Sequence, residues 1–180
     1  MTEEPQQPTP ESRFWAHLYA LHAADNRAAL AKLRRGIADP AGPDVYATIG
    51  ASIPGDLSNR DHDAYLLAAC LFALHPTRGK DSLGVSVRAL RGRLSIGAES
   101  LDQRFAGVLN SDVEDLAIHL RHMIRLLASH EVAVNYPRLL QDICRWRNED
   151  RIVQRRWARD YWSPQREEQD EPQTQEAPAA

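Results

Sequence analysis

The sequence predicts an all-α fold, two small helical bundles with flexible tails, and three observations carry that expectation. Hydrophobic residues make up 43% of the 180-residue chain but aromatic ones only 7%, so the core has to be built mostly from Leu, Ala, Val and Ile, which suits helix packing. Apolar side chains recur at helical spacing, most cleanly at Leu83, Val87, Leu90 and Leu94. No stretch sustains the every-second-residue alternation of a half-buried strand, and no internal repeat points to a solenoid.

Residues 1–11 and 163–180 are rich in Pro, Gln and Glu and read as disordered tails. Between them lie an expected N-terminal bundle, 12–95, and a C-terminal bundle, 96–162. Phe14, Trp15, Leu18 and Leu21 make a first amphipathic helix. Asp25 or Asn26 caps a second, with Leu30, Leu33 and Ile37 as its stripe and Gly36 at its end. Pro40, Gly42 and Pro43 break the chain, a short helix follows around Val45–Ile49, and Pro54-Gly55 breaks it again. A more buried helix begins near Asn59; from Ala64 to Leu74 it is apolar almost all round, and His75-Pro76 stops it. The Leu83–Leu94 stripe makes the next helix, and Gly92 and Gly97 bracket a hinge between the halves. Leu101, Phe105, Val108 and Leu109 face inward on the following helix. Ser111-x-x-Glu114 has the pattern of a capping box, opening a long helix with the stripe Val113, Leu116, Leu120, Ile124 and Leu127. Ile118 and Leu126 fall on its far side, as if it were covered twice. The last run, Tyr136 to Trp162, reads as one helix started by Asn135-Tyr136-Pro137.

Most familiar chemistries are missing. His119 and His122 stand three apart but outside any His-Glu-x-x-His pattern, so hydrogen-bonded or solvated roles are expected and no metal. No glycine-rich phosphate loop precedes Lys-Ser or Lys-Thr, and neither Ser82 nor Ser95 has a partner that would make it a nucleophile. Asp112, Glu114 and Asp115 are explained by the start of a helix. Cys70 and Cys144, far apart in sequence, read as buried free thiols rather than a disulfide. No enzyme activity, catalytic residue or cofactor is expected. No apolar run approaches about 18 residues, so no membrane span is expected, and the first ten residues lack a secretory signal's basic and apolar regions.

What remains is arginine. The net charge of −3 conceals an asymmetry: without the eight acids and one Arg of the tails, 21 basic and 17 acidic residues leave the body at +4. Of the 22 basic residues 20 are Arg, the side chain that forks onto phosphates. Arg147, Arg151, Arg155 and Arg159 recur every fourth residue, and no acid lies three or four positions from the last three. Like charges at that spacing cost about 0.2–0.5 kcal/mol per pair. The row is therefore either a solvated helix back neutralised from elsewhere in the fold, or a track for a polyanion. Arg27/Arg34, Arg88/Arg91, Arg121/Arg125 and Arg138/Arg145 also flank apolar stripes. Asp142 is placed to pair with Arg138 and Asp160 with Arg156. Contacts through the others would be largely blind to sequence and steeply salt-dependent.

Read together, several stretches resemble the small-subunit family of the type I-E CRISPR surveillance complex Cascade, known as CasB. They are Asp25-x-Arg27-Ala28-x-Leu30 with Leu33-Arg34-Arg35, Phe72-Ala73-Leu74-His75-Pro76, Ser82-Leu83-Gly84 and Arg104-Phe105-x-x-Val108-Leu109. Next come Asp115-Leu116-x-x-His119-Leu120-Arg121, Leu139-Leu140-x-Asp142-Ile143-x-x-Trp146 and Trp157-Ala158-x-x-Tyr161-Trp162. The resemblance covers roughly Arg13 to Trp162. It implies a non-catalytic, all-helical, cytoplasmic protein that associates with a second copy and the other Cascade subunits. It would lie along the crRNA–target DNA duplex and help to hold the displaced strand in antiviral defence. Its motifs point to Arg27, Arg34, Arg35, Arg104 and Arg121. Arg88, Arg91, Arg125, Arg145, Arg147, Arg151, Arg155 and Arg159 rest on helical spacing alone, and Arg104 could equally pair with Glu99 or Asp115. The alternative is a helical adaptor whose Arg meet an acidic protein partner.

Overall fold

Side-chain caps decide where most of the helices begin. The computed structural model describes residues 9–163; of the two expected tails, residues 1–8 and 164–180 lie outside them. The Thr9 hydroxyl accepts from the Ser12 N–H at 3.1 Å and opens α1, Pro10–Ala23, so residues 10 and 11 belong to the first helix and not to the tail. Asn26, rather than Asp25, caps α2, Arg27–Gly36. Then follow α3, Pro43–Ile49, a short 3-10 turn at Gly50–Ser52, and α4, Asn59–Leu74, capped by Ser58. Ser82 caps α5, Leu83–Arg93, and α6, Ala98–Asn110, starts after Gly97 at φ 92°, a backbone that glycine adopts without strain. The chain ends in α7, Val113–Ser129, α8, Tyr136–Cys144, and α9, Ile152–Trp162. With no strand among the described residues, the all-α expectation holds.

Two local expectations fail for physical reasons. The capping box at Ser111 does not form: Ser111 closes α6, its hydroxyl donating back to Val108 O at 2.8 Å, while Asp112 stands just before α7 without a side-chain cap bond and Glu114 turns to Arg147. The single helix expected over Tyr136–Trp162 is broken at 145–151. There the Asn148 side chain accepts from the Asp150 N–H at 3.1 Å, Arg151 N donates to Asn148 O at 2.9 Å, and Arg151 enters the left-handed region at φ 52°. Local bonds to an Asn side chain compete with the helical ladder, and helical periodicity on either side cannot reveal that competition.

The buried apolar side chains form one continuous cluster that includes helices from both sides of residue 95. At its middle is α4, in which every residue from Ala64 to Ala73 is buried. It packs on α2 and α3 on the N-terminal side and on α7 and α8 on the C-terminal side. Phe14, Trp15, Phe72 and Tyr136 bring α1, α4 and α8 together edge to face. Loops seam the same junction: His75 donates from Nε2 to Val132 O at 2.9 Å, Tyr136 to His75 O at 2.7 Å, and Val134 N to the Thr77 hydroxyl at 3.1 Å. Cys70 and Cys144 are both free; Cys70 is buried as expected but Cys144 is exposed, because it closes α8 at the surface.

Helix α9 is held on two sides. The buried Asp142 carboxylate of α8, 2% exposed, accepts from Arg156 and from Trp157 Nε1 at 2.7 Å. Opposite, α5 lies so close that a Cβ on Gly84 would fall 2.5 Å from Trp157 O and 2.9 Å from Asp160 Cβ. Asp160 itself accepts from the Ser82 hydroxyl. Neither expected pair, Arg138–Asp142 or Arg156–Asp160, forms: Asp142 faces the core and takes Arg156 of α9, and Asp160 takes the Ser82 hydroxyl instead.

These contacts set two expectations. Removing one partner of a buried pair costs about 3–5 kcal/mol, and the low end suits Asp142→Ala because Arg156 keeps 30% of its side chain in water. A Tm drop of about 6–12 °C is expected in thermal denaturation, whereas Arg27→Ala, breaking an exposed pair, should move Tm by no more than about 2 °C. Gly84→Ala should cost about 1–3 kcal/mol, read as a lower urea midpoint, since both clashing atoms belong to a packed helix.

Candidate nucleic-acid interface

The arginines divide by what holds each guanidinium. Five of the candidates are engaged within the chain. Arg27 pairs with Asp25 at 3.0 Å, with both side chains largely in water. Arg91 donates twice to Asp102, at 2.8 and 3.2 Å. Those two bonds, with a third from the Tyr161 hydroxyl, hold the Asp102 carboxyl below its usual range. Arg147 reaches Glu114 at 2.8 Å. Arg88 donates to Ser163 O at 3.2 Å, and Arg151 to Leu109 O, the latter a cation at the C-terminal end of α6 where the helix dipole favours it.

The row expected from Arg147 to Arg159 is therefore not one row. The break at 145–151 separates Arg147 from α9, and Arg151 becomes the strained residue that starts α9. Only Arg155 and Arg159 remain as an exposed pair one turn apart. Arg34 and Arg35 in the last turn of α2, Arg104 on α6, Arg125 on α7 and Arg145 at the end of α8 are likewise exposed. None of these seven is among the chain's ion pairs in the described residues, Arg104 included, so neither Glu99 nor Asp115 takes it.

Three places collect these groups. On α7 the outer face carries Ile118, 57% exposed, with Arg121, His122 and Arg125 three, four and seven residues on. Arg121 is half-buried, and its Nε is enclosed without a hydrogen-bond partner. Of the two far-side residues expected to be covered, Leu126 packs against the core, whereas Ile118 is left exposed. Between α6 and α7 a shallow groove is lined by Arg104, Gly107, His119, His122 and Leu126. His119 and His122 line that groove, and no group of three His, Cys, Asp or Glu able to hold a metal occurs among the described residues.

The third place is a cleft of about 550 Å³ between α5 and the end of α9, lined by Arg88, Arg91, Tyr161 and Trp162 among others. Helical spacing picked out both arginines but not the aromatic wall, because α5 and α9 are about seventy residues apart and only their packing makes the cleft. The sequence also gave no sign that Arg78 would lie 3.8 Å from the centre of the Tyr19 ring, or that Arg93 would donate to His130 O at 2.8 Å. No described helix is long and apolar enough to cross a membrane.

Comparison with known proteins places the chain. The family profile described as CRISPR-associated protein Cse2 matches residues 29–162. A CRISPR-associated protein Cse2 of Thermus thermophilus is 31% identical over 153 residues, 83% of this chain and 88% of that protein. The crystal structure of CasB from Thermus thermophilus, 32% identical, superposes with a TM-score of 0.68 over 87% of this chain and 99% of that one. A chain of a solved CRISPR RNA-guided surveillance complex shares the fold, with a TM-score of 0.71 at 23% identity over 85% of this chain and 93% of that one. The chain belongs to the CRISPR-associated Cse2 family, also called CasB.

Proposed function

We propose that this protein is the non-catalytic small subunit of the type I-E CRISPR surveillance complex, working in the cytoplasm. In this reading it holds nucleic-acid backbone without sequence preference, steadies the crRNA–target DNA duplex and the displaced strand, and so favours the R-loop in antiviral defence. Its partners are the other Cascade subunits, a second copy of itself, crRNA and both strands of target DNA. The observation that carries this reading is the set of exposed guanidinium groups that form no ion pair among the described residues, spread over α2, α6, α7, α8 and α9. Family membership supports the assembly, and the likeness to a chain of a surveillance complex supports the fold it would use there.

Strand exchange suits such a surface. The heteroduplex formed is about as stable as the duplex replaced, so modest protein–backbone contacts tip the balance. Arg can supply those contacts through forked bonds to phosphate without reading a base. Ile118 sits among cations on α7, and its exposed apolar surface suits contact with the second copy or a larger subunit.

Binding of duplex and single strands is expected to fall linearly on a log–log plot against salt, with a slope of about −0.9 per phosphate contact for duplex and −0.7 for single strands. Charge reversal of Arg155 and Arg159 together should flatten the slope by about 1.4–1.8 and leave Tm unchanged. Arg34/Arg35 and Arg121/Arg125 double reversals test the other helices in the same assay. If all three variants bind both forms as tightly as wild type at low salt, the interface lies elsewhere. A partner complex that assembles equally well after nuclease treatment would instead favour the protein adaptor.

A further inference from the structure

The cleft between α5 and α9 contains a feature that phosphate binding alone does not use. Of the four tryptophans, Trp15, Trp146 and Trp157 are 5%, 3% and 0% exposed, whereas Trp162 is 50% exposed and lines the cleft. Trp162 is not loosely placed. Tyr161 meets it edge to face with ring centroids 4.7 Å apart, and Phe105 lies 5.9 Å away. Tyr161 is in turn fixed by its hydroxyl on Asp102, and it packs on Phe105 at 4.6 Å. An aromatic buttressed on its inner side and wet on its outer side is a platform.

The cationic wall beside the platform is equally fixed. Arg88 uses one N–H on Ser163 O, and Arg91 uses two on Asp102. Each guanidinium has five N–H donors, so both keep several for an outside acceptor. The Ser163 carbonyl is already used by Arg88, and no carboxylate is among the residues lining the cleft. The volume of about 550 Å³ lies within the range of roughly 300–1,000 Å³ typical of small-ligand sites.

We propose that this cleft takes one nucleotide of a single strand, with its base stacked on Trp162 and its phosphate on the free N–H groups of Arg88 and Arg91. The proposal rests on the nucleic-acid reading above and deepens it. A base within a duplex is already stacked on its neighbours and cannot offer its face, so the site selects single strand over duplex. Stacking tolerates any base, because every base has a π face. The cleft therefore adds strand-state selectivity to a surface whose other contacts are blind to it.

Tryptophan fluorescence of the full chain tests this directly, because a base arriving from solvent can reach only one of the four indoles. Titration with oligo(dT) should quench emission, while an abasic oligonucleotide of the same length and charge should bind about tenfold more weakly and quench little. Trp162→Ala should abolish the quenching and bring oligo(dT) affinity down to the abasic level, with duplex affinity unchanged and the thermal melt lowered by only about 1–6 °C through the lost ring contacts. Trp162→Phe should recover part of the affinity. The proposal is overturned if Trp162→Ala binds oligo(dT) like wild type, or if abasic DNA quenches equally. If oligonucleotides bind while Trp162 stays silent, only this site fails. If neither single strand nor duplex binds at low salt, the broader reading fails and this one with it.

Discussion

A carboxylate shut away from water sets the position of the last helix, and much of the C-terminal surface follows from it. Asp142 enters the core from α8 and meets Arg156 and Trp157 of α9. An ion left alone there would be strongly destabilising, so α9 must arrive with both donors in register. That register turns Val153, Trp157 and Tyr161 inward. It also brings the Trp157 backbone against Gly84, where only a residue without a Cβ lets α5 approach. With α5 in place, Arg91 meets Asp102, Asp102 meets Tyr161, and the wall that carries Trp162 is complete.

The same physics sorts the arginines into two populations. Those tied to a carboxylate or a helix-end carbonyl, such as Arg147 and Arg151, join elements and have fewer donors left for a ligand. Those left in water repel their neighbours, but at about 0.2–0.5 kcal/mol per pair the penalty is small. A helical protein can therefore keep Arg155 and Arg159 side by side without losing its fold. An exposed salt bridge is worth about as little, so the pairing of Arg27 with Asp25 at the surface does not remove Arg27 from use by a stronger anion.

Helices before and after residue 95 also depend on one another through polar seams. The loop after α4 and the loop before α8 exchange hydrogen bonds through His75, Thr77, Val132 and Val134, and Tyr136 closes the junction from the core side. Since α4 is buried on all sides, neither half could expose its share of that helix to water without losing apolar burial. The arginines of α2 and those of α6 to α9 are thereby carried on a common core.

Much was legible in the residues themselves, because local physics acts within a few positions. Apolar spacing located most of the helices, Asn26 (as one of two candidate caps) and Asn135 announced the starts of α2 and α8, and motif order pointed to the family. The excess of Arg in the body was equally plain. What the residues could not disclose were choices between near-equal local options. Ser111 could close one helix or cap the next, and Asn148 could continue a helix or bend the chain. Asp142 could pair with Arg138 on its own helix or turn inward to α9. The first two are local competitions between side-chain bonds and the helical ladder, and the third was decided by packing against a helix distant in sequence. The sequence thus determined the helices, their approximate order of burial and the cationic character of the surface. Only the tertiary structure decided which arginines were free, and that Trp162 would stand beside Arg88 and Arg91.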